Sequence, residues 1–245
     1  MRLWGRVLPG QHGGVADVSA IAMQQDGERI AQLQNLGEGN MKRRMIDLYS
    51  GLGGASEAFL RNGWDVMRCE NNPLLLEVES TWEWDLTNEQ EIDSLIHMPY
   101  WDNADLIWAS PPCTDFSLAF NAPGPKAKRE GRDFEPDMRP LRSAIRIIKE
   151  KKPRYWVIEN VHGASKIFSR ELGVNAPRQL IGPYFLWGNF PFLPHDLEWE
   201  KTDKSKLWEI NNPLRANIRG KIPLEISKAL LNEIMFSPSL AKWIQ

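Results

Sequence analysis

The sequence predicts a doubly wound α/β fold, a mostly parallel sheet with helices on both faces and a small irregular region attached. Three observations carry that expectation. From Arg44 onward, short apolar runs alternate regularly with amphipathic ones. A glycine-rich turn follows the first of these runs directly. Acidic residues and a cysteine then recur at the C-terminal ends of successive strands, the rim on which open α/β sheets bind ligands.

Residues 1–40 are rich in Gly and Gln, with one weakly helical patch, "AIAMQQDGERIAQL", and read as an extension of unassigned role. Met41 opens the patterned part. The strand "RMIDLY" leads through glycines into the helix "GASEAFLRNG", and the strand "WDVMRCE" follows. A helix is expected near "PLLLEVESTW", a strand near "WEWDLT", a helix at "NEQEIDSLIHM" and a strand at "ADLIWAS". A Gly- and Pro-rich loop is expected over 121–140. Beyond it, Leu141, Ala144, Ile145 and Ile148 recur at helical spacing in "PLRSAIRIIKEKK", and the strand "RYWVIENV" comes next. Residues 170–215 show little periodicity and read as loops and short strands. "IPLEISKALLNEIM" closes the pattern as an amphipathic helix opened by Pro223. The pattern therefore divides the chain into an extension, 1–40, an α/β domain, 41–168, an irregular region, 169–215, and a returning helix, 216–245.

Composition excludes several classes. Two cysteines, Cys69 and Cys113, provide neither a disulfide framework nor a CxxC metal pair, so a reducing, cytoplasmic compartment is expected and no metal. No apolar run approaches the ~20 residues that cross a bilayer, and the N-terminus lacks the apolar core of a secretory signal. Net charge is only −2, but from Lys126 to Arg154 eleven cations stand against five anions. That stretch is either a solvated face or a phosphate-binding surface.

Four features carry chemistry. In "DLYSGLGGASEAF" the glycines let backbone N–H groups approach a ligand, or simply form a tight turn. Glu70 and Asp85, at the ends of the second and third strands, suit ribose hydroxyls and an exocyclic amine, or serve as caps. In "ASPPCTDFS", Pro111 and Pro112 stiffen the turn that carries Cys113, which is either a nucleophile needing local activation or a small buried hydrophobe. Glu159 in "WVIENV" follows apolar residues; a carboxyl in a partly dry pocket can hold a proton and donate it, and the alternative is a cap on the next turn.

In order and spacing, "DLYSGLGG", "ASPPCTDFS", "RIIKEKKPRYWVIENV" and "IPLEISKALL" resemble the cytosine-5 DNA methyltransferase family, over residues 44–168 and more faintly 216–235. The resemblance implies a sheet of the Rossmann-like, S-adenosylmethionine-dependent type. It implies that Cys113 attacks C6 of a flipped cytosine, that Glu159 engages N3 and the 4-amino group, and that the methyl group comes from S-adenosylmethionine. The implied cofactor pocket comprises Tyr49, Gly51, Leu52, Gly53, Gly54, Glu70, Asn71, Asp85, Leu86 and Pro111. Ser117, Lys126, Lys128, Arg129 and Arg132, on a loop from Asp115 to Phe134, would meet DNA.

The chain also departs from the family. Thr114 replaces a common glutamine, and no Q-x-R-x-R is present, leaving Arg178 in "APRQL" as the substitute for the pocket arginine. Trp187, Trp199 and Trp208 are candidates to stack on bases, with core packing the alternative for Trp187. Arg219 and Lys221 stand where the family has small residues beside the cofactor. They either face solvent or meet a cofactor bearing a carboxylate. The short recognition region implies a relaxed target or a separate specificity subunit, and compactness points to a phage or mobile element within restriction–modification biology. An RNA cytosine methyltransferase and a non-catalytic binding module are the rival readings.

Overall fold

In the computed structural model the described residues are 42–200 and 212–236. The chain divides into two compact units, Met1–Met41 and Lys42–Gln245, and every described residue belongs to the second. The helical patch expected before Met41 and Trp208 lie outside the described residues.

Seven strands form one sheet in the order β3-β2-β1-β4-β5-β7-β6. They are β1 (Arg44–Leu48), β2 (Asp65–Glu70), β3 (Thr81–Glu83), β4 (Leu106–Ala109), β5 (Tyr155–Asn160), β6 (Gln179–Ile181) and β7 (Tyr184–Asn189). The first five are parallel, while β7 runs antiparallel to both β5 and β6. The central strands are apolar on consecutive residues because both faces are covered. Met45, Leu106, Trp108 and Val157 face one core, and Ile46, Leu48, Ile107 and Ile158 face the other.

The helices are α1 (Glu57–Arg61), α2 (Glu89–Ile96), α3 (Pro123–Arg129), α4 (Arg139–Lys151), α5 (Ser165–Glu171), α6 (Arg215–Gly220) and α7 (Leu224–Phe236). Residues of α2, α4 and α5 fill one core, and those of α1 and α7 the other. Lys151, wholly buried at the end of α4, is satisfied there: its Nζ donates to the Met98 carbonyl and to Asp102, each at 2.7 Å.

Three local expectations are corrected. "PLLLEVESTW" forms only a single 3₁₀ turn, Pro73–Leu75, because its three leucines are consecutive rather than helically spaced and only Leu75 is buried. The strand "WEWDLT" stops at Glu83, so Asp85 lies beyond it and caps a turn by accepting from the Thr87 N–H (2.9 Å) and hydroxyl (2.7 Å). The loop expected over 121–140 contains α3, whose prolines fall in the first turn, where no N–H is needed. Among the described residues no helix is long and apolar enough to cross a membrane.

Candidate active site

The parallel pairing of β4 with β5 sets Ala109 opposite Ile158. Chain leaving both strands at this rim therefore emerges side by side, Ser110-Pro-Pro-Cys113 from one and Glu159-Asn160 from the other. Asn160, fully buried, fixes them together. Its Nδ2 donates to the Pro111 carbonyl at 2.8 Å, and its Oδ1 accepts from the Val161 N–H at 2.9 Å. Beyond Cys113, the 3₁₀ turn Thr114–Phe116 is anchored by Phe116, which packs edge-on against Phe168 with ring centres 5.0 Å apart. The next 3₁₀ turn, His162–Ala164, passes so close that a Cβ on Gly163 would overlap the Phe116 carbonyl.

Cys113 is an exposed free thiol at this rim, whereas Cys69, the other cysteine, is buried in the core. The crowding of protein around the Cys113 sulfur pushes it above the ordinary thiol value. The Glu159 charge adds to that rise, and Arg219 opposes it. Glu159 is buried, and desolvation lifts its carboxyl from 4.5 to about 7, against the pull of a hydrogen bond from Ser110. The Ser110 hydroxyl itself accepts from Trp108 Nε1 at 2.8 Å, which leaves its single proton directed at the carboxyl. A buried carboxyl close to half-protonated at neutral pH thus lies within electrostatic reach of an exposed sulfur. Glu159 does not cap the following turn, which has no side-chain cap.

The glycine turn lies at the carboxyl end of β1. Glu70 ties it to β2, with Oε2 accepting from the Gly51 N–H at 2.8 Å and Oε1 from the N–H groups of Asn71 and Asn72 at 3.0 Å. Gly54 meets the Ile222 carbonyl, where a Cβ would not fit. Beneath the turn is a buried polar network that the sequence did not announce. Arg68 donates to Ser56 Oγ (2.8 Å) and to the Gly53 carbonyl (3.0 Å), and Ser56 donates to Asp47 at 2.6 Å. Burial raises the Asp47 carboxyl to about 7, although Ser56 and Arg68 pull it down.

A cofactor site at this turn is tested by the polar groups left over. Among the described residues, the only buried side-chain donors or acceptors without a partner are Ser50 Oγ, Thr81 Oγ1 and Trp84 Nε1. Ser50 belongs to the glycine turn, Thr81 opens β3 and Trp84 follows it. Buried polar groups need partners, so these residues fit a polar ligand lying along the rim. An open recess of about 470 Å³ is lined by Asn71, Glu83, Asp85 and Glu91.

The remaining expected site residues divide into two groups. Leu52 lines a second recess with Glu57, Arg61, Arg68 and Lys221. Lys126, Lys128, Arg129 and Arg132 are all exposed on or just beyond α3, and Arg129 stacks on Phe120 with 3.7 Å to the ring centre. Ser117 Oγ accepts from the Ala119 N–H in the same loop. Others are structural. Tyr49 donates its hydroxyl to the Pro140 carbonyl at 2.9 Å, Leu86 is in the core, and Pro111 is the acceptor for Asn160. Lys221 pairs with Glu57 at 2.9 Å.

Arg178 is not brought to the thiol. It donates to the Phe190 carbonyl (2.8 Å) and lies over Phe192 (4.4 Å), both beyond Asn189, the end of β7 that pairs with the start of β5. Trp187 is core, bonded to Ser169, and Trp199 packs on Tyr184 and over Gly182. Neither is free to stack on a base.

The sequence reading missed Ser110, Asn160 and Tyr184, and it set Arg219 beside the cofactor or in solvent rather than near the sulfur. Burial and the nearby Glu159 charge push the Tyr184 phenol up to about 12. Ser110 and Asn160 were visible as polar residues flanking apolar strands; Tyr184 and Arg219 reach the site only through tertiary packing.

Comparison with known proteins decides the family. The C-5 cytosine-specific DNA methylase family matches residues 43–172, more than half of the chain. The chain belongs to that family. It is 28% identical over 143 residues to the Type II methyltransferase M1.HphI of Haemophilus parahaemolyticus, covering 54% of this chain and 35% of that protein. It is 27% identical over 134 residues to M.NgoFVII of Neisseria gonorrhoeae, covering 54% and 34%. The chain thus spans about a third of the length of these curated relatives. Among solved structures it is similar to a SAM-dependent methyltransferase from Archaeoglobus fulgidus, with 16% identity, 60% and 58% coverage and a TM-score of 0.34.

Proposed function

We propose that the protein transfers a methyl group from S-adenosylmethionine to C5 of cytosine in DNA, through a covalent bond between Cys113 and C6. The observation that carries this reading is the pairing of an exposed thiol with a buried carboxyl that holds a proton near neutral pH. When bound, the cofactor supplies an electrophilic sulfonium methyl group. Ser50, Gly51, Glu70 and Asp85 are the residues to hold it.

The Cys113 thiol first loses its proton to water. The thiolate then adds to C6, and the electron pair of the C5–C6 bond moves into the ring. Glu159 supplies a proton to N3, so that charge does not accumulate there and C5 becomes nucleophilic. Ser110 keeps the carboxyl aimed. After methyl transfer, water removes the C5 proton, the C5–C6 double bond re-forms as the thiolate leaves, and the N3 proton returns to Glu159. The target base must leave the stack, at a cost of about a few kcal/mol. The exposed cations of the α3 region can meet phosphates, and the exposed Leu118 and Phe120 of the same loop can contact bases.

The test is transfer of tritium from labelled S-adenosylmethionine to duplex DNA or to RNA, with Cys113→Ala as control. Label in DNA that disappears with the variant is expected. Label confined to RNA, or label in DNA that survives Cys113→Ala, overturns the reading.

A further inference from the structure

The residues expected in the reacting pocket supply a nucleophile and an acid but no cation at the sulfur. The residue expected to provide one, Arg178, is engaged at the opposite end of β7. Lys221 is neutralised by Glu57. Asp115, on the turn after Cys113, accepts from the Asp137 N–H at 2.9 Å and brings negative charge to the same loop.

The segment from Asn217 to Ile222 crosses the carboxyl rim of the sheet. At one end, Asn217 Nδ2 would lie 3.8 Å from a Cβ on Gly51, and the Ile222 carbonyl lies against Gly54. On its other side the Tyr184 hydroxyl donates to the Lys221 carbonyl at 3.5 Å, and Tyr184 senses the charge of Glu159. Arg219 sits within this crossing, exposed, with no hydrogen bond or ion pair among the described residues.

We propose that Arg219 is the positioning cation of the reacting pocket: the rim crossing by residues 217–222 holds its unpaired guanidinium where it favours the thiolate of Cys113, in place of the arginine that Arg178 cannot supply. Two charged groups face the sulfur, Glu159 from β5 and Arg219 from α6, and they act in opposite directions. When Glu159 carries its proton, Arg219 is unopposed. The protonation state that makes Glu159 a donor is therefore the one in which the thiolate is easiest to form. The role in methyl transfer rests on the function proposed above; the charge effect on the sulfur does not.

The experiment is alkylation of Cys113 by iodoacetamide across pH 6–10 in the full chain, without DNA or cofactor, followed by mass analysis of the Cys113 peptide. Cys69 is buried and does not compete. Melting curves confirm that Arg219→Gln and Arg219→Lys are folded. Removing one unit charge from a partly screened site should slow alkylation of Arg219→Gln at pH 7.5 by about three- to tenfold and move the profile to higher pH. Arg219→Lys should stay within about twofold of the parent, because charge and not shape is at issue. An unchanged profile for Arg219→Gln, or an equal loss for Arg219→Lys, overturns the proposal. Neither readout needs methyl transfer, so a failure of the enzymatic reading would show in the tritium assay and leave this one intact.

Discussion

Replacing Glu159 by glutamine should stabilise the protein at alkaline pH while abolishing its chemistry. The carboxyl is raised from 4.5 to about 7 in the fold, so the native state binds the proton more tightly than the unfolded chain. The associated stability is present below about pH 4.5 and is lost as pH rises through about 7. At pH 8 the full 2.5-unit difference is expressed, about 3 kcal/mol against a neutral side chain, and at pH 5 only about 1 kcal/mol. Glutamine keeps an oxygen for Ser110 and never ionises. For a chain of this size 1 kcal/mol moves the melting temperature by about 2–4 °C, so Glu159→Gln should gain several degrees on the parent at pH 8 and little at pH 5. Methyl transfer should fall by at least about 10²-fold, because the amide has no proton to give. Calorimetry of both proteins at the two pH values is the measurement. A difference in melting temperature that does not depend on pH, or a glutamine variant less stable than the parent at pH 8, would refute the reasoning about the buried carboxyl.

Further outcomes follow from other contacts. A duplex containing 5-fluorocytosine cannot lose the C5 substituent as a proton, so it should remain bonded to the parent protein through denaturing electrophoresis and fail to bond to Cys113→Ala. Asn160→Ala removes the tie to the Pro111 carbonyl and should cost about 1–3 kcal/mol in denaturant unfolding, with turnover falling more than cofactor affinity. Gly163→Ala forces the His162–Ala164 turn off the Phe116 carbonyl, so kcat should drop while S-adenosylmethionine binding, measured by calorimetry, holds. Asp102→Ala leaves the Lys151 ammonium buried with one acceptor and should lower stability by about 2–4 kcal/mol, readable as a shifted urea midpoint.

The sheet was legible because its signals are local. Alternation of strand and helix predicts parallel neighbours, and acids and cysteine at strand ends predict a common rim, as the pairing of β4 with β5 shows for Cys113 and Glu159. Two local misreadings have local causes: consecutive leucines at 74–76 imitate a helix, and the prolines of α3 imitate a loop. The rest was hidden because it depends on distance in sequence. Nothing near Arg178 reveals that Phe190 and Phe192 hold it at the far end of β7, and nothing near Arg219 reveals that its charge acts on a cysteine more than a hundred residues earlier. The Asp47, Ser56 and Arg68 network is equally silent, since each member alone reads as an ordinary polar residue in or beside a strand.

The buttress behind the glycine turn bears on how the protein comes into being. The Ser227 hydroxyl donates to the Ala55 carbonyl at 2.7 Å and accepts from the Ala58 N–H at 3.1 Å, joining the earliest loop of the domain to α7. During synthesis, then, the Ala55 carbonyl and the Ala58 N–H lack this partner until residue 227 has cleared the ribosome. A partly made chain thus carries Cys113 and Glu159 before the glycine turn has this brace behind it.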